Sequence, residues 1–289
     1  MSSSLTYEVH RYGKDHELQR VGVWRSPDAK PQSSNPWIIY IHGGAWRDFR
    51  IDHTTFRPTI DALLLKKGDD DWAGFASVDY RLSPHPAFPQ DPATTPADEL
   101  RAAAHPDHIR DARAAIGCLQ ARYGFGGEYV LVGHSAGATL ALQLLMGTGA
   151  ADGDDDVDVA LPRAIVGLEG IYDLPGLADR LGPAYAELFR GAFPGGREAW
   201  AEVSPLRFRG DFAECWGKEK SEKTLVVLGW GPRDELIDEP EIDGMAKRLG
   251  EDGVRTVVAK DLEGTHDGMW EDGRPFARMA LETLAELRK

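Results

Sequence analysis

Residues 129–146 read YVLVGHSAGATLALQLLM. The first four lack polar alternation, which predicts a strand buried on both faces, and the Ala/Leu-rich run from Ala136 to Met146 predicts a helix. Between them stands Gly133-His134-Ser135-Ala136-Gly137, a G-x-S-x-G pattern. In a chain with 32 glycines the pattern alone is weak evidence; its place between a strand and a helix gives it weight. A strand that turns so sharply into a helix needs small residues on either side of Ser135. The turn lifts the serine hydroxyl above the sheet end and aims the first helical N–H groups at it. Read without chemistry, Ser135 would simply cap the helix. His134 is expected to point away from Ser135 and to pack.

The same alternation extends in both directions. Residues 37–42 (WIIYIH), 74–82, 164–172 (AIVGLEGIY), 224–230 (TLVVLGW) and 254–261 read as strands. Residues 56–66, 107–123, about 240–250 and about 275–287 read as helices, with Asp107 placed to cap the second of these after Pro106. Residues 7–24 read as two short strands around a Gly13-Lys14-Asp15 turn. There is no internal repeat and no linker-like break. The pattern predicts one α/β domain over residues 1–289, with helices flanking a mostly parallel sheet of about eight strands. Residues 174–223, irregular and rich in Gly, Pro and aromatics, read as an inserted cap.

Composition narrows the function. With 33 Lys+Arg against 47 Asp+Glu, the formal charge is −14. Such a chain repels phosphate backbones and anionic lipid, so neither a nucleic-acid nor a membrane partner is expected. Two cysteines, Cys118 and Cys215, are too few for a disulfide framework, and Cys118 reads as a small buried hydrophobe. No apolar run approaches the ~20 residues that span a bilayer. Met1-Ser2-Ser3-Ser4-Leu5 has neither a basic nor an apolar segment, so no secretory signal is expected and the cytoplasm is the expected compartment. The acidic run 152–158 lacks the alternating ligands and central glycine of a calcium loop and reads as solvated. His105-Pro106-Asp107-His108 has no third partner, so no metal and no cofactor are expected.

A serine hydroxyl is a poor nucleophile at neutral pH and needs a base, with an acid to orient that base. Among nine histidines, His266 alone follows the last strand, where the base belongs in the order Ser, acid, His. Asp234 follows the strand 224–230, with one helix and one strand left between it and His266. Asp238 and Glu235 are its rivals. Donors for a developing oxyanion are expected from Gly43 and Gly44, after the strand 37–41, and from the N–H of Ala136.

The ordered motifs HGGAW, GHSAGA, GPRDEL and EGTHD resemble those of an α/β-hydrolase, and more narrowly of the kynurenine formamidases of the fungal type. VDYRLSPHP (78–86), HPDHIRD (105–111) and LEGIYDL (168–174) point the same way. The resemblance runs from about residue 37 to the C-terminus. It implies a Ser135–Asp234–His266 triad with Gly43 and Gly44 in the oxyanion hole, and a homodimer. The implied substrate is the small molecule N-formyl-L-kynurenine, cleaved to L-kynurenine and formate. An aryl substrate would need an apolar wall, for which Trp46 and Tyr172 are the candidates. Arg47, Arg81 and Arg233 are candidates for the amino-acid end. The acidic insert and the extra residues around 212–223 depart from the family pattern. The rival readings are a carboxylesterase, a secondary-metabolite hydrolase, and a non-catalytic ligand-binding protein on the same fold.

Overall fold

A computed structural model describes residues 5–28, 35–66, 72–147, 159–217 and 223–289. An eight-stranded sheet runs through the described residues in the order β1-β2-β4-β3-β5-β6-β7-β8. Its strands are β1 (Thr6–Arg11), β2 (Arg20–Arg25), β3 (Trp37–Ile41), β4 (Gly74–Val78), β5 (Tyr129–His134), β6 (Ala164–Leu168), β7 (Leu225–Gly229) and β8 (Thr256–Ala259). The β1–β2 and β2–β4 pairs are antiparallel, and every pair from β4 to β8 is parallel. The N-terminal hairpin therefore extends one edge of a parallel sheet.

The parallel strands are apolar on both faces because both faces are covered. Ile38 and Tyr40 of β3 pack with Phe56 and Ile60 on one side, against α1 (Arg57–Lys66) and the C-terminal helix α10 (Arg274–Glu286). Ile39 and Ile41 face the other side, toward α2 (Asp107–Tyr123) and α3 (Ala136–Leu145). Every residue of α3 is buried, which is why its sequence carries no polar stripe. Asp107, expected as a cap, lies inside the first turn of α2. Pro106 takes the cap position, and the Asp107 carboxylate accepts the Ala104 N–H at 3.3 Å.

Between β6 and β7 the chain forms α4 (Leu174–Leu181), α5 (Pro183–Ala192), α6 (Gly196–Val203) and α7 (Phe212–Trp216), where the sequence read as irregular. Gly182, Pro183, Gly195 and Pro205 interrupt the apolar period about every three turns, so no long helical signal builds up. Local caps mark the starts instead: Asp173 accepts from the Gly176 N–H, and Asp211 from the Glu214 N–H. The remaining helices are α8 (Glu239–Glu251) and α9 (His266–Asp272). No helix among the described residues is long and apolar enough to cross a membrane. The acidic run 152–158 lies outside the described residues, as do residues 218–222.

Glu241 of α8 ties this helical segment to the sheet. Its buried carboxylate accepts the N–H groups of Tyr172 (2.5 Å) and Asp173 (2.7 Å) and meets the Arg180 guanidinium. Glu241→Ala leaves two buried donors without acceptors, each worth ~1–3 kcal/mol. A loss of about 3 kcal/mol in urea unfolding is expected, with Glu241→Gln losing less; an unchanged midpoint for the alanine variant would refute this anchoring role.

Candidate active site

Ser135 sits between β5 and α3 at φ 53° and ψ −121°, a backbone region that costs a non-glycine residue of order 1–3 kcal/mol. Its N–H donates to Leu168 O at 2.9 Å, so the strained turn is held by the neighbouring strand. The side chain makes no capping bond to α3, so Ser135 does not cap the helix through its hydroxyl. The turn depends on Gly137, where an added Cβ would stand 2.1 Å from the Ile41 carbonyl oxygen. On the facing loop, a Cβ on Gly43 would stand 3.0 Å from Ser135 Cβ and from His134 Nδ1. The HGGAW loop and the serine turn are thus in direct contact.

That loop is oriented from behind by Tyr80. Its hydroxyl donates toward the carbonyl oxygens of His42 (3.1 Å) and Gly43 (3.0 Å), and His42 Nδ1 also reaches Gly43 O at 2.9 Å. A trans peptide sends C=O and N–H to opposite sides, so the N–H groups of Gly43 and Gly44 point away from Tyr80. Among the described residues, the N–H groups of Gly43, Gly44 and Ala136 donate to no backbone carbonyl. Tyr80 stacks on His42 with ring centroids 4.5 Å apart. Behind His42, the buried Asp79 accepts from His53 N–H (2.5 Å), His53 Nδ1 (2.8 Å) and Arg20 Nε (2.6 Å). Burial holds His42 below the usual imidazole range even though Asp79 pulls the other way.

His266 is the first residue of α9 rather than part of a loop, with Thr265 as the helix cap. Its Nδ1 faces both Asp234 oxygens, at 3.1 and 3.0 Å. Asp234 is itself fixed, because its Oδ1 accepts the N–H groups of Leu236 (2.8 Å) and Ile237 (2.9 Å). The two rival acids have other work. Asp238 forms a two-point ion pair with Arg180 at 2.6 and 3.0 Å, and Glu235 accepts the His266 backbone N–H at 3.1 Å.

The other sequence candidates divide. Trp46 and Tyr172, expected as aryl walls, are both wholly buried. Trp46 packs edge-on against Phe189 and Phe193 of the α5 end, and the Tyr172 ring lies over Gly167 and Gly170. Both rings thus pack in the interior, and the buried Trp46 Nε1 and Tyr172 hydroxyl have no hydrogen-bond partner among the described residues. Arg81 is committed to Asp111 through Nε (2.8 Å) and Nη2 (2.9 Å), a structural pair. Arg233 is exposed, and Arg47 is half-buried, with Glu187 and Asp48 its nearest charges.

Sequence reasoning missed Glu169, whose carboxyl is wholly buried one residue past β6 at φ 48°. Its Oε2 lies 3.3 Å from His266 Nδ1 and 3.5 Å from His134 Nε2. His134, expected to pack, thus faces the acid–base cluster, and its ring centroid is 4.6 Å from that of His266. Burial first, then the charge of Asp234, pushes the Glu169 carboxyl up to about 10. Burial also keeps His134 well below the imidazole range. The donor atoms of His134, Glu169 and His266 converge within 4.8 Å, close enough for a metal ion, although His266 Nδ1 is already engaged by Asp234. A carboxylic acid directly after an apolar strand was the available signal in LEGIYDL.

No family model matches the chain. A kynurenine formamidase-like hydrolase of Fusarium equiseti is 37% identical over 258 residues, covering 87% of this chain and 84% of that protein. A kynurenine formamidase of Aspergillus versicolor is 36% identical over 250 residues, covering 81% and 83%. Among solved structures, an esterase from Thermogutta terrifontis superposes with a TM-score of 0.69 at 19% identity, over 97% of this chain and 94% of that one. The sheet and its flanking helices are those of the α/β-hydrolase fold.

A carboxyl that stays protonated in the folded chain but ionises in the unfolded chain makes stability fall as pH rises. For Glu169 the window runs from the ordinary glutamate range of about 4.5 up to about 10. Glu169→Gln removes the titration while keeping the shape. Its Tm should exceed that of the unsubstituted protein at pH 8, by a margin that shrinks toward pH 5 and vanishes below pH ~4. A pH-independent difference in thermal melts would show that Glu169 is ionised in the fold.

Proposed function

The chain belongs to the kynurenine formamidase family, and on that footing we propose that it hydrolyses N-formyl-L-kynurenine to L-kynurenine and formate through a Ser135–His266–Asp234 triad. The observation that carries the reading is the buried pairing of His266 Nδ1 with both Asp234 oxygens, in a chain whose β5 ends in a serine on a strained strand-to-helix turn. In this mechanism His266 takes the Ser135 proton as Oγ attacks the formyl carbon. Asp234 holds the imidazole with Nδ1 protonated, so that Nε2 is free to act as base.

The tetrahedral oxyanion is received by N–H groups of Gly43 or Gly44 and of Ala136. Supporting this is the Tyr80 hydroxyl on the carbonyl side of the two glycine peptides, which leaves their N–H groups on the opposite side. Preorganised donors of this kind are each worth ~10²–10³ in turnover. His266 then protonates the departing arylamine, and water releases formate from the formyl-serine. A formyl carbon bears only hydrogen, so the acyl side of the site needs little room. We read helices α4–α7 as a cap: Trp46, three residues beyond Gly43, is gripped by Phe189 and Phe193 of that segment.

The test is absorbance-monitored hydrolysis of N-formyl-L-kynurenine beside p-nitrophenyl acetate. Ser135→Ala should lower kcat/KM on the formamide by about 10⁴-fold or more with the fold intact. Ester cleavage without formamide cleavage would keep Ser135 as nucleophile and reject the kynurenine assignment. Undiminished formamidase activity in the variant would reject the mechanism.

A further inference from the structure

Two carboxyls, not one, stand against Nδ1 of His266. Asp234 lies at 3.0 Å from Nδ1 and Glu169 Oε2 at 3.3 Å, and both side chains are fully shielded from water. Two carboxylates in contact cannot both stay ionised in such a site, so the pair holds a proton. The surroundings decide which group carries it. Asp234 Oδ1 accepts two backbone N–H groups. Neither Glu169 oxygen has a well-formed hydrogen bond, although the Gly231 N–H approaches it. Facing Glu169 are Asp234 and Glu235 from the turn after β7, His134 from the end of β5, and His266 from α9.

Building on the triad reading above, we propose that Glu169 is a positioning residue: a neutral carboxylic acid whose O–H donates to the Asp234 carboxylate, and which can take over as acceptor for the His266 Nδ1–H when Asp234 is removed. In the intact protein this hydrogen bond and the two backbone donors together pin the Asp234 carboxylate toward His266. Asp234 accepts from His266 and from Glu169, and no proton leaves the pair during turnover. Without Asp234, Glu169 loses its nearest negative charge but not its burial, so it releases its proton to solvent only as the pH rises. Its Oε2 then lies within reach of Nδ1, with no movement of the β6 backbone required.

The experiment measures kcat and KM on N-formyl-L-kynurenine from pH 6 to 9. It compares the unsubstituted protein with Asp234→Ala, Glu169→Gln, Glu169→Leu and the double variant Asp234→Ala/Glu169→Gln, each checked for folding by circular dichroism. Loss of a triad acid with no substitute typically costs ~10⁴ in kcat. Asp234→Ala should instead lose ~10²–10³ and recover as pH rises through the range where Glu169 ionises. The double variant should be at least tenfold slower than Asp234→Ala and show no such rise.

Equal rates for Asp234→Ala and the double variant at every pH would overturn the proposal and leave the triad standing. Full activity in Asp234→Ala would overturn the triad reading, and the proposal with it. Should Asp234→Ala fail to fold, the Glu169 pair decides. Leucine, which cannot donate, should lower kcat about tenfold at unchanged KM, and glutamine, which can, should restore most of it. Equal kcat in the two variants would overturn the proposal.

Discussion

The contact between the turn after β5 and the loop after β3 is the constraint on which the rest of the site hangs. At Gly137 the backbone of α3 approaches the Ile41 carbonyl so closely that a methyl group would overlap it, and at Gly43 the facing loop touches Ser135 itself. Neighbouring parallel strands deliver these two segments side by side, with Ile41 paired to Gly133. The sheet register therefore sets the spacing between the serine and the Gly43–Gly44 peptides before any side chain is considered. Strain at Ser135 is tolerated because β6 supplies the Leu168 carbonyl and the fully buried α3 cannot shift.

Polar order is built outward from that contact in layers. Tyr80 fixes the carbonyl side of the Gly43 loop, and Asp79 next to it gathers His53 and Arg20 behind His42. On the far side, Asp234, Glu235 and Glu169 hold the ring and the backbone of His266. Residues from the ends of β5, β6 and β7 thereby converge on one imidazole. Asp234 and Glu169 carry the same chemical group in different surroundings: one collects backbone donors, and the other is left in a dry site beside its neighbour's charge.

The sheet was legible because β3, β5, β6 and β7 are short apolar runs, and an apolar run announces a strand covered on both faces. Ser135, Asp234 and His266 could be proposed from the sequence because each stands at the C-terminal end of a strand or just beyond one, in an order that the strand count fixes. Helices α4–α7 were not, since glycine and proline divide them below the length at which an apolar period shows. Glu169 and Tyr80 were hidden for a different reason. Their importance lies in what faces them across the sheet end, and linear spacing carries no record of a neighbour such as Gly43 or His266. For Trp46 and Tyr172 the sequence could not distinguish, because an aromatic after a strand looks alike whether its ring turns into the core or toward a substrate.

The segment from α4 to α7 is made of helices of five to ten residues. Helices that short have no standing of their own in water, where the cost of nucleation outweighs so few hydrogen bonds. Their order is lent by what they rest on: Phe189 and Phe193 against Trp46, Trp200 against Phe189, and Glu241 beneath Tyr172 and Asp173. The molecule thus has two grades of rigidity. The sheet is held by continuous strand pairing, whereas the helical segment owes its order to side chains such as Leu177, Phe212 and Trp216 that enter the same core. Amide exchange in α4–α7 will outpace that in β3, β5 and β6.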